Sequence, residues 1–320
     1  MNKTSLYALV SGAALVLSGD GCRSLKDRSE INKACIEHTM KRDAIEYIMN
    51  EDELVQERLG AGASFCEFRY NEPLSAHCNV NEGVLQDLQA VLDYAQPTIG
   101  GDMTLSVLVL DGGVIEPAPG FYSFFNGAML TDARFFEEVD AISAAFAYKA
   151  SHADFDIIAY FKKVGRNLKI PQPMLALGIA LPKPLQMPPD DYDRKLQSEV
   201  RAGILAFVIG HETAHLLHLD GAKLVCGIDI NTYDIELSAD EMGASFVSTM
   251  PWIVEAAPLL LFKFWEVNGL GSNGECRDNE TAYNPDTHPC PSLRYKNIRS
   301  QLLELGADTS TIDSVFGVPQ

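Results

Sequence analysis

The sequence predicts an α+β fold, mostly helical, with a small sheet beside one long apolar helix. Three observations predict it. Apolar residues recur at helical spacing over residues 82–94 and again from 196 onward; two short apolar runs, 103–110 and 121–125, have strand character; and the most informative motif of the chain falls within a helix. With 320 residues, 47% of them hydrophobic, the chain is long enough to bury a sizeable core. A charged fraction of 22% beside this apolar content excludes a mainly disordered chain. The net charge of −19, from 44 acids against 25 bases, repels phosphate backbones and anionic lipid, so neither nucleic acid nor an anionic membrane surface is an expected partner. Such acidity favours solubility and selects no substrate.

The N-terminus reads as an export signal. Lys3 supplies the positive start, Leu6 to Leu17 form an apolar stretch, and the small residues Gly19 and Gly21 stand just before Cys22. The stretch is shorter than the about 20 apolar residues that cross a bilayer, and no later segment is long and apolar enough to do so. Cys22 has two readings. A bacterial lipoprotein would carry its acyl anchor there, although Gly19 occupies a place where leucine is usual; otherwise residues 1–22 are an ordinary signal peptide. Residues 23–78 form a polar, cysteine-containing segment expected to be helical in part, most clearly over 51–59, and residues 79–320 form the main domain.

Seven cysteines stand at 22, 35, 66, 78, 226, 276 and 290. With Cys22 set aside, six remain, compatible with three disulfides, and Cys66 with Cys78 and Cys276 with Cys290 are the local pairs expected. The alternative is buried free thiols in a reducing compartment. None has the spacing of a structural zinc site.

Val84, Leu85, Leu88, Val91 and Leu92 define a helix that Pro97 and Gly100–Gly101 are expected to end. Met103 to Leu110 reads as a strand closed by Asp111-Gly112-Gly113, and Phe121 to Phe125 as a second short one. A helix is expected to begin near Thr131, with an apolar helix over 141–150. Residues 164–192 carry six of the sixteen prolines and read as a long loop of the kind that borders active sites. From Leu196 a helix runs through Ile204, Leu205, Phe207, Val208 and Ile209 into His211-Glu212-Thr213-Ala214-His215.

Residues four apart on a helix share a face, so both imidazoles can point at one metal ion. Glu212 lies about 100° round from His211, where it can reach a metal-bound water without ligating. A third ligand separates this from two incidental histidines. The metzincin pattern fails, because His218 and Gly221 occupy the places of its glycine and histidine. The gluzincin pattern, a Glu on a following helix with an Asp four residues later, is met by Glu236 and Asp240 over the helical stretch 235–246. Glu236 is then the carboxylate ligand, and Asp240 accepts a hydrogen bond from a ligand imidazole. Three protein ligands leave a fourth position for water, the arrangement of a catalytic zinc rather than a structural one. Glu212 would be the general base and later protonate the leaving amine.

Glu236-x-x-Ala239-Asp240-x-x-Gly243 after His211-Glu212-x-x-His215 resembles the metallopeptidases of the HtpX and CAAX prenyl protease family, as does Thr287-His288-Pro289 with Arg294 six residues after the histidine. The resemblance touches most of residues 80–305, on three short motifs. It departs from the family at Ser238 and Glu241, in the short interval before Glu236, and in lacking an Asn-Ala-Phe signature near 115–126 and membrane-spanning helices. It implies a zincin-like fold and a zinc-dependent endopeptidase with one Zn2+ per chain, acting on peptides or unfolded segments in the periplasm, cell envelope or outside the cell. Two other functions stay open: a zinc-bound envelope assembly or binding protein with little turnover, and a non-peptidase hydrolase on the same metal. An intact Glu212 argues against the binder. Around the cleft, His288 either approaches the open metal position or is a loop histidine; Arg294 or Tyr295 could stabilise an oxyanion. The loop between Cys276 and Cys290 is a lid or a surface loop, and His218 reads as an ordinary helix histidine.

Overall fold

A computed structural model describes residues 25–51, 56, 64–70, 80–99, 103–111, 121–167, 193–228, 232–269 and 289–317. The expected export signal, most of the proline-rich stretch, the Cys276 loop and His288 lie outside the described residues. Eleven helices and four strands are described: α1 (Leu25–Thr39), α2 (Ala44–Asn50), β1 (Ser64–Arg69), α3 (Glu82–Ile99), β2 (Ser106–Asp111), β3 (Phe121–Ser123), β4 (Ala128–Asp132), α4 (Ala133–Ser151), α5 (Ile157–Asn167), α6 (Arg194–Leu217), α7 (Asp220–Val225), α8 (Thr232–Ser248), α9 (Pro258–Asn268), α10 (Pro291–Glu304) and α11 (Ser310–Phe316). The α+β class is thus as expected: mostly helical, with one small mixed sheet. No described helix is long and apolar enough to cross a membrane.

The sheet has the order β1-β2-β4-β3, with β2 and β4 parallel and both outer pairs antiparallel. Successive side chains of a strand point to opposite faces. Val107, Val109 and Met129 therefore enter the main core, while Leu108, Leu110, Ala128 and Leu130 enter a second cluster with Ala44 and Ile48 of α2 and Ala222 of α7. Both faces are covered, and edge strand β3 lies against α6.

Several boundaries differ from expectation. Residues 128–132 are a strand rather than a lead-in to a helix; Ala-Met-Leu-Thr-Asp is too short for a period and, buried on both faces, shows no alternation. Asp132 then caps a single continuous helix, α4, by accepting from Phe135 N. Pro97 does not end α3 but sits in its last turn, where its fixed φ is helical and one backbone bond is lost. Gln96 ties that turn to the next element, donating to Met103 O and accepting from Leu105 N. Within 23–78, expected to be helical in part, α1 and α2 are helices, and most of 51–59 lies outside the described residues. There β1 is a strand paired with β2, so this segment extends the sheet of the main domain. Cys35 is bonded to Cys226, joining α1 to the end of α7. Cys66 and Cys290 are also disulfide-bonded, against the free-thiol alternative; their expected partners, Cys78 and Cys276, lie outside the described residues.

Helix α6 is buried almost continuously from Val200 to Leu216 and packs against α3, α4 and α8. Arg201, itself buried, fastens its first turns: Nε donates to Asp87 of α3 at 2.6 Å and Nη1 to Asp140 of α4 at 2.5 Å. Farther along, two glycines let α6 and α8 approach closely. A Cβ on Gly243 would stand 2.8 Å from Phe207 O, and one on Gly210 2.8 Å from the Phe246 Cβ. Gly243→Ala is expected to push α8 off α6, lowering stability by about 1–3 kcal/mol, as overpacking does. Because α8 carries Glu236 and Asp240, bound metal should fall with it; thermal unfolding and metal analysis of the variant check both.

Glu138 of α4 is fully buried and accepts from Trp265 Nε1 of α9 at 2.5 Å. Burial pushes its carboxyl up to about 8, more than the Trp265 hydrogen bond lowers it, so the folded protein holds it protonated at neutral pH. A folded-state pKa above the unfolded one gives stability that is complete below about pH 4.5 and lost as pH rises to about 8. Glu138→Gln removes that loss. It should be more stable than wild type at pH 8, by on the order of 4 kcal/mol, and the margin should vanish near pH 4.5. An equal margin at both pH values would show Glu138 ionised in the core.

Candidate metal centre

Three side chains from two helices converge. His211 and His215, one turn apart near the end of α6, bring their Nε2 atoms within 3.2 Å of each other. Glu236 enters from α8 with Oε2 3.4 Å from His211 Nε2 and Oε1 3.5 Å from His215 Nε2. All three are buried, and among the described residues they form the group that could hold a metal ion. Ligand atoms about 2.0–2.1 Å from a tetrahedral ion stand about 3.3 Å from one another, so these separations fit one ion. Glu212 is buried alongside, Oε1 3.9 Å from His211 Nε2.

The outer hydrogen bonds fix which nitrogen faces the centre. His211 Nδ1 meets Asp240 Oδ1 at 3.0 Å, and His215 Nδ1 meets Asp220 Oδ2 at 3.1 Å. An ionised carboxylate only accepts, so both Nδ1 atoms carry hydrogen and both Nε2 atoms face the centre. At 3.2 Å apart, the two Nε2 atoms can share either a proton or a metal ion. The carboxylates of Glu212, Glu236, Asp240 and Asp220 outnumber the cations Arg294 and Lys223 around the centre, so the surroundings favour a positive charge there.

Asp240 is also bound twice by Arg294, Nε to Oδ2 at 2.9 Å and Nη2 to Oδ1 at 2.5 Å. Burial alone would raise the Asp240 carboxyl, but the Arg294 charge and the His211 hydrogen bond outweigh it and hold it below the usual range. Asp220 is likewise lowered: burial raises it, and its bonds from His215 and from Lys223 at 3.1 Å prevail. Burial lowers the His211 imidazole, yet the hydrogen bonds to Asp240 and Glu236, with the charges of Glu236 and Glu212, push it up to about 10. The acid cage thus holds a cation at His211, and a metal binding there would displace that proton.

His211, Glu212, His215, Glu236 and Asp240 are therefore brought together where the sequence placed them. Arg294 joins them as the partner of Asp240, with Nη2 3.9 Å from Glu236 Oε2 and its guanidinium 4.7 Å from the Phe262 ring centroid. Its Nε and Nη2 are engaged by the Asp240 carboxylate. Tyr295 does not join. Consecutive helix residues diverge by about 100°, and its ring lies under Lys263 Nζ at 5.8 Å. Burial and the Asp313 charge push its hydroxyl up to about 12. His218 is exposed at the end of α6, as an ordinary helix histidine should be.

Asp220 is the residue that sequence reasoning missed. Five positions beyond His215, it would point away from the centre on a continuing helix. Instead α6 stops, Leu219 takes a left-handed conformation (φ 58°), and the chain turns back so that Asp220 opens α7 beneath His215. Gly221 makes the turn possible, since a Cβ there would stand 1.9 Å from Phe124 O. The only sequence signal is an acid and a glycine just after the motif. No protein-family model, curated protein or solved structure matches the chain.

Proposed function

We propose that this protein is an exported zinc-dependent endopeptidase with a zincin-like fold. The observation that carries the reading is the convergence of His211, His215 and Glu236, with the Glu212 carboxylate alongside but outside their triangle. Imidazole and carboxylate ligands in a three-plus-open set suit zinc. When bound, zinc supplies Lewis acidity toward a carbonyl and lowers the pKa of water.

The chain's own residues do the rest. Glu212 accepts a proton beside the centre and returns it to the leaving amine. Asp240 and Asp220 hold the two imidazoles in the tautomer that presents Nε2, and Arg294 holds Asp240 in place. β3 suits a peptide substrate: it is an edge strand beside α6, and an extended segment can add to such an edge through main-chain hydrogen bonds. Export is supported by the apolar N-terminal stretch and by the disulfide-bonded cysteines, which persist in oxidising compartments.

The test is metal analysis of the purified chain with a mixed pool of unstructured peptides as substrate. Zinc should copurify near one equivalent, cleavage should stop on chelation, and one equivalent of zinc should restore it. Absence of zinc binding at neutral pH would refute the metal reading. A zinc-loaded chain that cleaves no peptide would instead support the assembly or binding role, and turnover confined to simple amides or esters would support a different hydrolase.

A further inference from the structure

We propose that the Cys35–Cys226 disulfide is a redox-sensitive brace of the metal centre, holding α7 and its Asp220 carboxylate against His215, so that opening it lowers metal affinity. The inference rests on reading His211, His215 and Glu236 as a metal site and names a means of regulating it.

The two ends of one short helix carry the argument. α7 has six residues; Asp220 at its start orients His215, and Cys226 caps its end. A helix that short does not hold itself together, so its position depends on what it is attached to. Its described attachments include Gly221 against the Phe124 carbonyl, Ala222, Leu219 and Val225 on the cluster beneath the sheet, the Thr39 Oγ1 contact with Cys226 Sγ at 3.7 Å, and the covalent bridge to α1. The bridge recruits the rest of the N-terminal layer. Ala44 and Ile48 of α2 share the Ala222 cluster, and Asn126 Nδ2 donates to Met40 O and Arg42 O between α1 and α2. Without the bridge, α1 and α7 keep side-chain packing and the weak Thr39–Cys226 contact, with no covalent tie.

The bridge also holds the more exposed of the described bonded cysteines. Cys35 and Cys226 are each partly exposed, whereas the other described bonded cysteines, Cys66 and Cys290, are only 5% and 2% exposed. A dithiol reductant would open it by thiolate attack on one sulfur, forming a mixed disulfide that its second thiol resolves. Cys35 and Cys226 gain two electrons and two protons and become thiols; the reductant leaves as its own disulfide.

The experiment measures zinc affinity by chelator competition in the full chain, as wild type, Asp220→Asn, Cys35→Ser/Cys226→Ser and the triple variant. The serine pair should bind zinc about 10–100-fold more weakly, the usual loss when the outer partner of a ligand histidine is disturbed. In the Asp220→Asn background the same pair should cost little more, because both changes release one restraint. Unchanged affinity in a folded serine pair, or losses that simply multiply, would overturn the brace. If the serine pair does not fold, wild type is titrated with a dithiol while alkylation of each cysteine, zinc release and far-ultraviolet circular dichroism are followed. Zinc release in step with alkylation of Cys35 and Cys226, before the dichroism changes, supports the brace; release only on unfolding refutes it. A wild type that binds no zinc removes the underlying metal reading, a result distinct from either.

Discussion

Glu212→Gln is expected to remove nearly all peptide turnover while leaving the metal in place. Glutamine keeps the size of the side chain but cannot take up a proton, and Glu212 lies outside the ligand triangle, 3.9 Å from the nearest ligand nitrogen. A positioned acid–base group contributes about 10²–10⁴-fold to rate, so kcat should fall by that range. Bound zinc and the circular dichroism spectrum should match wild type. Steady-state cleavage of one fluorogenic peptide, with metal content measured on the same preparation, decides the matter. Activity within about tenfold of wild type would place the base elsewhere. Loss of zinc along with activity would make Glu212 a ligand and require a different assignment at the centre.

Much of the centre was legible because its geometry is helical. His211 and His215 share a face by spacing alone, and Glu236 and Asp240 share another, so one approach of two helices unites them. The approach itself was less visible, since it depends on Gly210 and Gly243 meeting bulky neighbours across α6 and α8. Asp220 was hidden because its position depends on a non-helical turn at Leu219, and no periodicity extends through a break in the helix. Arg294 and Tyr295 show the converse. As sequence neighbours they were equal candidates, and only the rotation of α10 against α8 and α9 separates the one that reaches Asp240 from the one beneath Lys263. In the fold, β2 was readable from its β-branched run. β1 was not: Ser-Phe-Cys-Glu-Phe-Arg carries two charges and shows its strand character only when Cys66 and Phe68 reach the core through pairing with residues some forty positions away.

Glu236→Ala should abolish specific metal binding with little loss of fold. It removes the one ligand that α6 does not supply, and two imidazoles alone leave the coordination set incomplete. The loss should exceed the about 10–100-fold that follows disturbance of an outer partner. Its effect on folding should differ from that of Asp240→Ala, which strands Arg294 as a buried cation; breaking such a pair costs about 3–5 kcal/mol. In Glu236→Ala, Arg294 keeps both bonds to Asp240, so the metal-free variant should unfold near the temperature of metal-free wild type. A ligand that binds only the folded state, present at about 1,000 times its dissociation constant, stabilises by about 4 kcal/mol. Wild type should therefore gain markedly in unfolding temperature when zinc is added, and Glu236→Ala should gain nothing at the same zinc concentration. If zinc raises both proteins equally, the third ligand is not Glu236, and α8 approaches α6 for reasons of packing alone.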